Sequence, residues 1–119
     1  MGWDVEYTTT FEHWWNALDD GSQDSVAVAV GLLEEMGPHL PFPWSSNITG
    51  SRHAHMRELR VQHRGKPLRI QYAFDVRRTA ILLLGGRKTD SARWYENMVP
   101  IADTPYDKHL LELKKEGYL

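Results

Sequence analysis

One stretch constrains this chain more than any other: residues 56–88, where apolar and polar side chains alternate and short turns punctuate. Leu68, Ile70, Tyr72 and Phe74 alternate with Arg69, Gln71 and Ala73. A period of two is the signature of a strand with one face toward a core. Before it, Leu59 and Val61 alternate with Glu58, Arg60 and Gln62, and Arg64-Gly65-Lys66-Pro67 supplies a turn between the two. After it, Asp75-Val76-Arg77-Arg78 reads as a second turn and Ala80–Leu84 as an apolar strand covered on both faces. Turns this short join neighbours, so the three strands should form an antiparallel meander. The chain has 119 residues and is 41% hydrophobic and 25% charged, which fits one globular domain, 1–119.

The flanks read mainly as helix. Val5-Glu6-Tyr7-Thr8 favours a first strand. Thr9 and Glu12 have capping-box spacing, which predicts a helix from about Thr10 to Leu18. Asp19-Asp20-Gly21 breaks it, and Ser22 can cap a second helix whose apolar face is Val26, Ala29, Val30 and Leu33. Gly37-Pro38 ends that helix. Residues 39–51 hold two prolines, Pro41 and Pro43, and read as loop, with Leu40, Phe42 and Trp44 expected to tuck against the core. Beyond Gly85-Gly86, a short helix through Met98 is predicted, then, after the Thr104-Pro105 start signal, a separate one from Tyr106 to Glu116 with Leu110 and Leu113 inward. The fold class is therefore α+β: an N-terminal strand and two helices, a three- to four-strand antiparallel meander, and C-terminal helices.

Charge is segregated. Residues 1–50 carry eight acids and no Lys or Arg, residues 51–93 eleven bases and three acids, and residues 94–119 three bases and five acids. A net charge of -2 hides this basic block. It either faces a polyanion or pairs with the acidic helices. There are no cysteines, which excludes disulfides and thiolate chemistry. No apolar run has membrane-spanning length, and the N-terminus MGWDVEYTTT carries no basic or apolar leader pattern, so a cytoplasmic protein is expected.

Among residues with chemical potential, His53 and His55 form an H-x-H pair without a neighbouring acid, a pattern more typical of surface loops than of a metal site. Gly85-Gly86-Arg87-Lys88-Thr89 lacks the spacing of a nucleotide-binding phosphate loop, yet two glycines permit close backbone approach and Lys88 could meet a phosphate. The sheet carries the stronger pattern. Adjacent antiparallel strands would set Arg60 and Arg69 on one polar face, with Lys88 at the sheet end and Trp94-Tyr95 following. Guanidinium groups grip phosphate and aromatics stack on unpaired bases, so this combination suits RNA. The alternative pairs these arginines with Glu58, Asp75 or the helical acids.

The segment 56-MRELRVQHRGKPLRIQYAFDVRRTAILLLGGRKTDSARWYE-96 resembles the RelE/ParE toxin superfamily, and most closely its phage Gp49-like, HigB-type branch. The resemblance lies in the order of ELR, the Gly65–Arg69 hairpin, Tyr72–Asp75, an apolar strand and a Gly-basic-basic turn. It implies a RelE-like fold and the toxin of a toxin–antitoxin system that cuts mRNA, on or off the ribosome. It implies metal-free, cofactor-free attack by the 2′-hydroxyl, and a helix-turn-helix, HigA-like antitoxin partner. Carried over by position, Arg69 would stabilise the transition state, and Lys88, with Arg87 as competitor, would be a second cation. Tyr95 or Trp94 would be the family's C-terminal aromatic, and Arg60 would orient substrate. Arg60 stays protonated, so proton abstraction would fall to His63 or Tyr95, with Glu58 a salt-bridge partner or base. Arg57, Arg64, Arg87, Arg93 and Trp94 are expected as surrounding RNA contacts. A ParE-like, gyrase-directed toxin and a non-catalytic phage-derived binding protein are the alternatives.

Overall fold

The computed structural model describes residues 2–119. A five-stranded sheet, ordered β1-β5-β4-β3-β2, separates two helical layers. The strands are β1 (Val5–Tyr7), β2 (Ser45–Asn47), β3 (Arg57–His63), β4 (Lys66–Phe74) and β5 (Ala80–Arg87). The helices are α1 (Thr9–Asn16), α2 (Asp20–Met36) and α3 (Trp94–Lys115), with a short 3-10 turn at Gly37–His39.

The β3–β4–β5 meander is antiparallel, as the alternation predicts. Its first turn has Arg64 at φ 48° and Gly65 at φ 78°, the left-handed pair of a two-residue hairpin loop, and this sets the register His63 opposite Lys66. The sheet's edges differ from expectation. β1 pairs parallel with β5, so the sheet is mixed, and β2 arises inside the stretch read as loop, antiparallel to β3. The β2 sequence Ser-Ser-Asn has no strand propensity, and its pairing to β3 is what makes it a strand.

One face of the sheet carries Leu59, Val61, Leu68, Ile70, Tyr72, Ala80 and Leu82, packed under Phe11, Val26, Ala29 and Leu33 of α1 and α2. The other carries Ala73, Ile81, Leu83 and Leu84 beneath Ala102 and Tyr106 of α3. Central β5 is thus covered on both sides. The N-cap of α1 is Thr8, whose Oγ1 accepts from the Phe11 N–H, and the cap of α2 is Asp19 rather than Ser22. Asp19 accepts from the Ser22 N–H, which holds its carboxyl below the ordinary range.

Two helices were expected after residue 90, and one continuous 22-residue helix is found with Pro100 and Pro105 inside it. Each proline forfeits a backbone hydrogen bond. The inward face of Trp94, Val99, Ala102, Tyr106 and Leu113 holds the helix on the sheet across both interruptions. The other departure concerns residues 40–44. Leu40 is buried as expected, but Phe42 is 69% exposed and Trp44 44%. The main chain from Pro41 to Ser45 turns tightly, with the Trp44 and Ser45 N–H groups both donating to the Pro41 carbonyl, and this lifts the two rings outward.

Candidate functional site

Register decides which side chains meet. Arg60 lies directly opposite Arg69, and Glu58 opposite Gln71, on the face shared with α3. Gly86 lies beside Arg69 and Leu84 beside Gln71. Two guanidinium groups side by side need an anion, and Glu58 provides it. Glu58 is 2% exposed, and its Oε1 accepts from Arg60 Nη1 at 3.2 Å, from Ser46 Oγ at 3.1 Å and from the Tyr95 hydroxyl at 2.9 Å. Arg69 Nε stands 3.9 Å from the same oxygen.

This cluster is polar, buried and incompletely satisfied. Among the described residues, the buried side-chain atoms without a hydrogen-bond partner are Glu58 Oε2, Arg69 Nε, and Nε2 and Oε1 of Gln71. All four belong to three neighbouring residues of one sheet face. An unpaired buried polar atom costs about 1–3 kcal/mol, so a concentration of them marks a place where stability has been given up. The two arginines of this cluster also line a groove of about 330 Å³, together with Pro43, Trp44, Val61 and Gln62.

Tyr95, in the first turn of α3, reaches this cluster. Burial, together with the hydrogen bond to Glu58 and the charge of that carboxylate, raises its phenol pKa, and Arg69 opposes the shift. The phenol is therefore a neutral donor at physiological pH. Lys88 Nζ stands 6.0 Å from the Tyr95 ring centroid, and its one hydrogen bond, at 3.4 Å, goes to the Thr89 carbonyl.

The structure also separates residues that sequence left together. Arg87 and Lys88 were competitors, and Lys88 is the one beside Tyr95. Arg87 is exposed, registered opposite core-facing Leu68. Trp94 and Tyr95 were competitors too. Trp94 is 8% exposed, donates Nε1–H to the Arg87 carbonyl and packs by Gly86, so it has no free face on which a base could stack. Arg57 lies on the other face of the sheet from the cluster. Its odd position in β3 turns it to the α2 side, where it donates to Ser45 Oγ, Tyr72 hydroxyl and Asn47. His63 has the same parity and bonds Ser25 of α2 through Nδ1 at 2.7 Å, which places it on the opposite face of the sheet from Arg60 and Arg69. Arg64 at the hairpin tip and Arg93 at the α3 N-terminus are exposed, outside the cluster.

Other readings find different roles. His53 Nε2 meets Asp107 at 2.6 Å, which explains one member of the H-x-H pair, and among the described residues no three metal-ligating side chains cluster. The glycine pair admits aromatic packing rather than phosphate: a Cβ at Gly85 would overlap the Trp14 ring, and one at Gly86 would meet Met98. Among the described residues, the basic block makes no ion pair with the acids of α1 and α2. Its ion pairs go to Glu58, Asp75, Asp103, Asp107, Glu96 and Glu6. The acidic helices pack on the opposite face of the sheet from Arg60 and Arg69.

The three-layer architecture is the RelE fold. The RelE toxin of E. coli, solved in its free state as a mutant, superposes with a TM-score of 0.56 over 81% of this chain and 93% of that one, at 12% identity. The family follows from the sequence comparison. A family model described as phage derived protein Gp49-like matches residues 13–107, and the chain belongs to that family. Similar relatives are two toxin candidates of Mycobacterium tuberculosis. HigB2 is 37% identical over 118 residues, covering 96% of this chain and 57% of that protein. HigB3 is 45% identical over 93 residues, covering 77% of this chain and 80% of its own. The chain thus spans little more than half the length of the first of these. Among the described residues no helix is long and apolar enough to cross a membrane.

Proposed function

We propose that this chain is the toxin of a toxin–antitoxin pair and cleaves single-stranded mRNA in the cytoplasm, using its own side chains as catalysts. The observation that carries the reading is the cross-strand pair Arg60–Arg69, held over buried Glu58 and capped by Tyr95. In-line attack by a ribose 2′-hydroxyl on its neighbouring phosphate builds negative charge at the phosphorane. Arg69 and Arg60 neutralise that charge from a rigid sheet face, where reorganisation is small. An arginine cannot take the 2′-hydroxyl proton. The geometry supports a relay instead: the proton passes to the Tyr95 oxygen as the phenol proton passes to Glu58 Oε1, 2.9 Å away. The bond to the 5′-oxygen breaks, Lys88 protonates that oxygen, and a 2′,3′-cyclic phosphate remains.

The family relatives named as toxins support a cognate antitoxin, and the helix-turn-helix, HigA-like class is the partner this reading takes. An acidic antitoxin segment across Arg60 would cover the groove and offset its charge. Retained binding by Arg60→Glu would remove that element.

The test is expression of wild type beside Arg69→Ala, with 5′-end mapping of cellular mRNA and chemical analysis of the 3′ ends. Wild type should arrest growth and leave cyclic phosphates. Arg69→Ala should cleave about 10²–10³-fold more slowly, the usual cost of losing one preorganised charge donor. Growth arrest with intact transcripts would overturn the reading, and a DNA-damage response alongside would favour a gyrase-directed toxin.

A further inference from the structure

Residues 41–44, Pro-Phe-Pro-Trp, pass the β3 edge of the groove. Main-chain bonds set the height of Trp44: its N–H donates to the Pro41 carbonyl at 3.0 Å and its carbonyl accepts from the Arg60 N–H at 2.8 Å. The second of these bonds ties the indole to the backbone of a site residue. Trp44 and Pro43 then form an aromatic and apolar wall of the groove, while Arg60 and Arg69 line it with charge. Phe42 flanks the same place, with the Arg60 guanidinium carbon 5.1 Å from its ring centroid.

Two large aromatics left out of the core beside one groove offer a surface to an occupant with a flat apolar face. The occupant must also carry negative charge close by, because the guanidiniums share the groove. Single-stranded RNA has both, a phosphate and an unstacked base in each nucleotide. A duplex presents only base edges in its grooves, and an aliphatic partner segment would leave unbalanced the second of two guanidinium charges that share the single carboxylate of Glu58. We infer that Trp44, with Phe42 beside Arg60, is the platform on which one RNA base stacks while the adjoining phosphate sits on Arg60 and Arg69. This deepens the reading of the groove as an RNA site and rests on it.

The experiment is a fluorescence-anisotropy titration of the whole chain with a labelled single-stranded oligoribonucleotide, 2′-O-methylated throughout to prevent cleavage. A matched series lacks one base, with the abasic position walked along the strand. Trp44→Ala should weaken binding of the complete oligonucleotide about 5- to 150-fold, the usual range for a lost base–aromatic stack, and Trp44→Phe should restore most of it. Against the oligonucleotide abasic at the stacked position, Trp44→Ala should make no further difference. Phe42→Ala, at a solvent-exposed position, gives a second variant with a smaller loss of the same pattern. Equal weakening on every oligonucleotide, or none, would overturn the platform while leaving the cationic site standing. Absence of binding by wild type to any of them would overturn the RNA reading itself and this inference with it.

Discussion

Replacing Gln71 with methionine should make this protein more stable and less active. Gln71 is 1% exposed, and neither end of its amide has a hydrogen-bond partner. Each unpaired buried polar atom costs about 1–3 kcal/mol. Methionine has nearly the same length and shape and carries no polar group that must be satisfied. Removing both orphans while keeping the volume should recover about 1–3 kcal/mol after allowance for imperfect repacking against Leu84. Unfolding entropy near 2.1 cal/mol/K per residue gives about 0.25 kcal/mol/K for 119 residues, so Tm should rise by about 4–12 °C. Urea titration should move the midpoint upward with an unchanged slope. RNA cleavage should fall, because the amide lies across the strand from Glu58, whose second oxygen is also unpaired. A lower Tm, or a higher one with full cleavage, would refute the idea that this polar face trades stability for function.

Three further perturbations test neighbouring parts of the argument. Glu58→Gln removes the anion between two guanidiniums and should cost about 2–4 kcal/mol in urea denaturation; it should tighten binding of uncleavable RNA while slowing cleavage, and unchanged cleavage would exclude the relay through Tyr95. Asp75 is fully buried and, although burial alone would raise its pKa, hydrogen bonds from Arg77, His109 and the Arg77 and Thr79 N–H groups hold it below the ordinary value. A depressed carboxyl stabilises the fold above the unfolded-state pKa and loses that contribution as pH falls through the folded one. Asp75→Asn should therefore be the less stable protein at pH 7 and lose less than wild type between pH 5 and pH 3, as read from urea midpoints. Gly85→Ala should lower stability by about 1–3 kcal/mol by forcing Trp14 aside, with a milder effect for Gly86→Ala, where the neighbour is the flexible end of Met98; equal thermal melts for the two would contradict the packing account.

What sequence alone determined here is local and periodic. Alternation along β4 defined its two faces, and the Arg64-Gly65 turn locked the register, so the Arg60–Arg69 pair was legible without coordinates. The same parity could have shown that Arg57 and His63 face away, since both sit at odd positions with Leu59 and Val61. The charge blocks marked a basic sheet apart from acidic helices, but not that the sheet would stand between the acids and the groove. Everything that depended on distant partners waited for the tertiary structure. β2 is a strand because β3 offers it hydrogen bonds, and α3 runs through two prolines because the sheet holds its inner face. Tyr95 displaces Trp94 as the site aromatic because only one of two consecutive helical residues can turn toward Glu58. Phe42 and Trp44 look like core residues in sequence and lie in the open because the bonds to the Pro41 carbonyl lift them there. Strand parity is written in neighbouring residues, whereas exposure and pairing are settled by which distant backbone each hydrogen-bonding group is brought against.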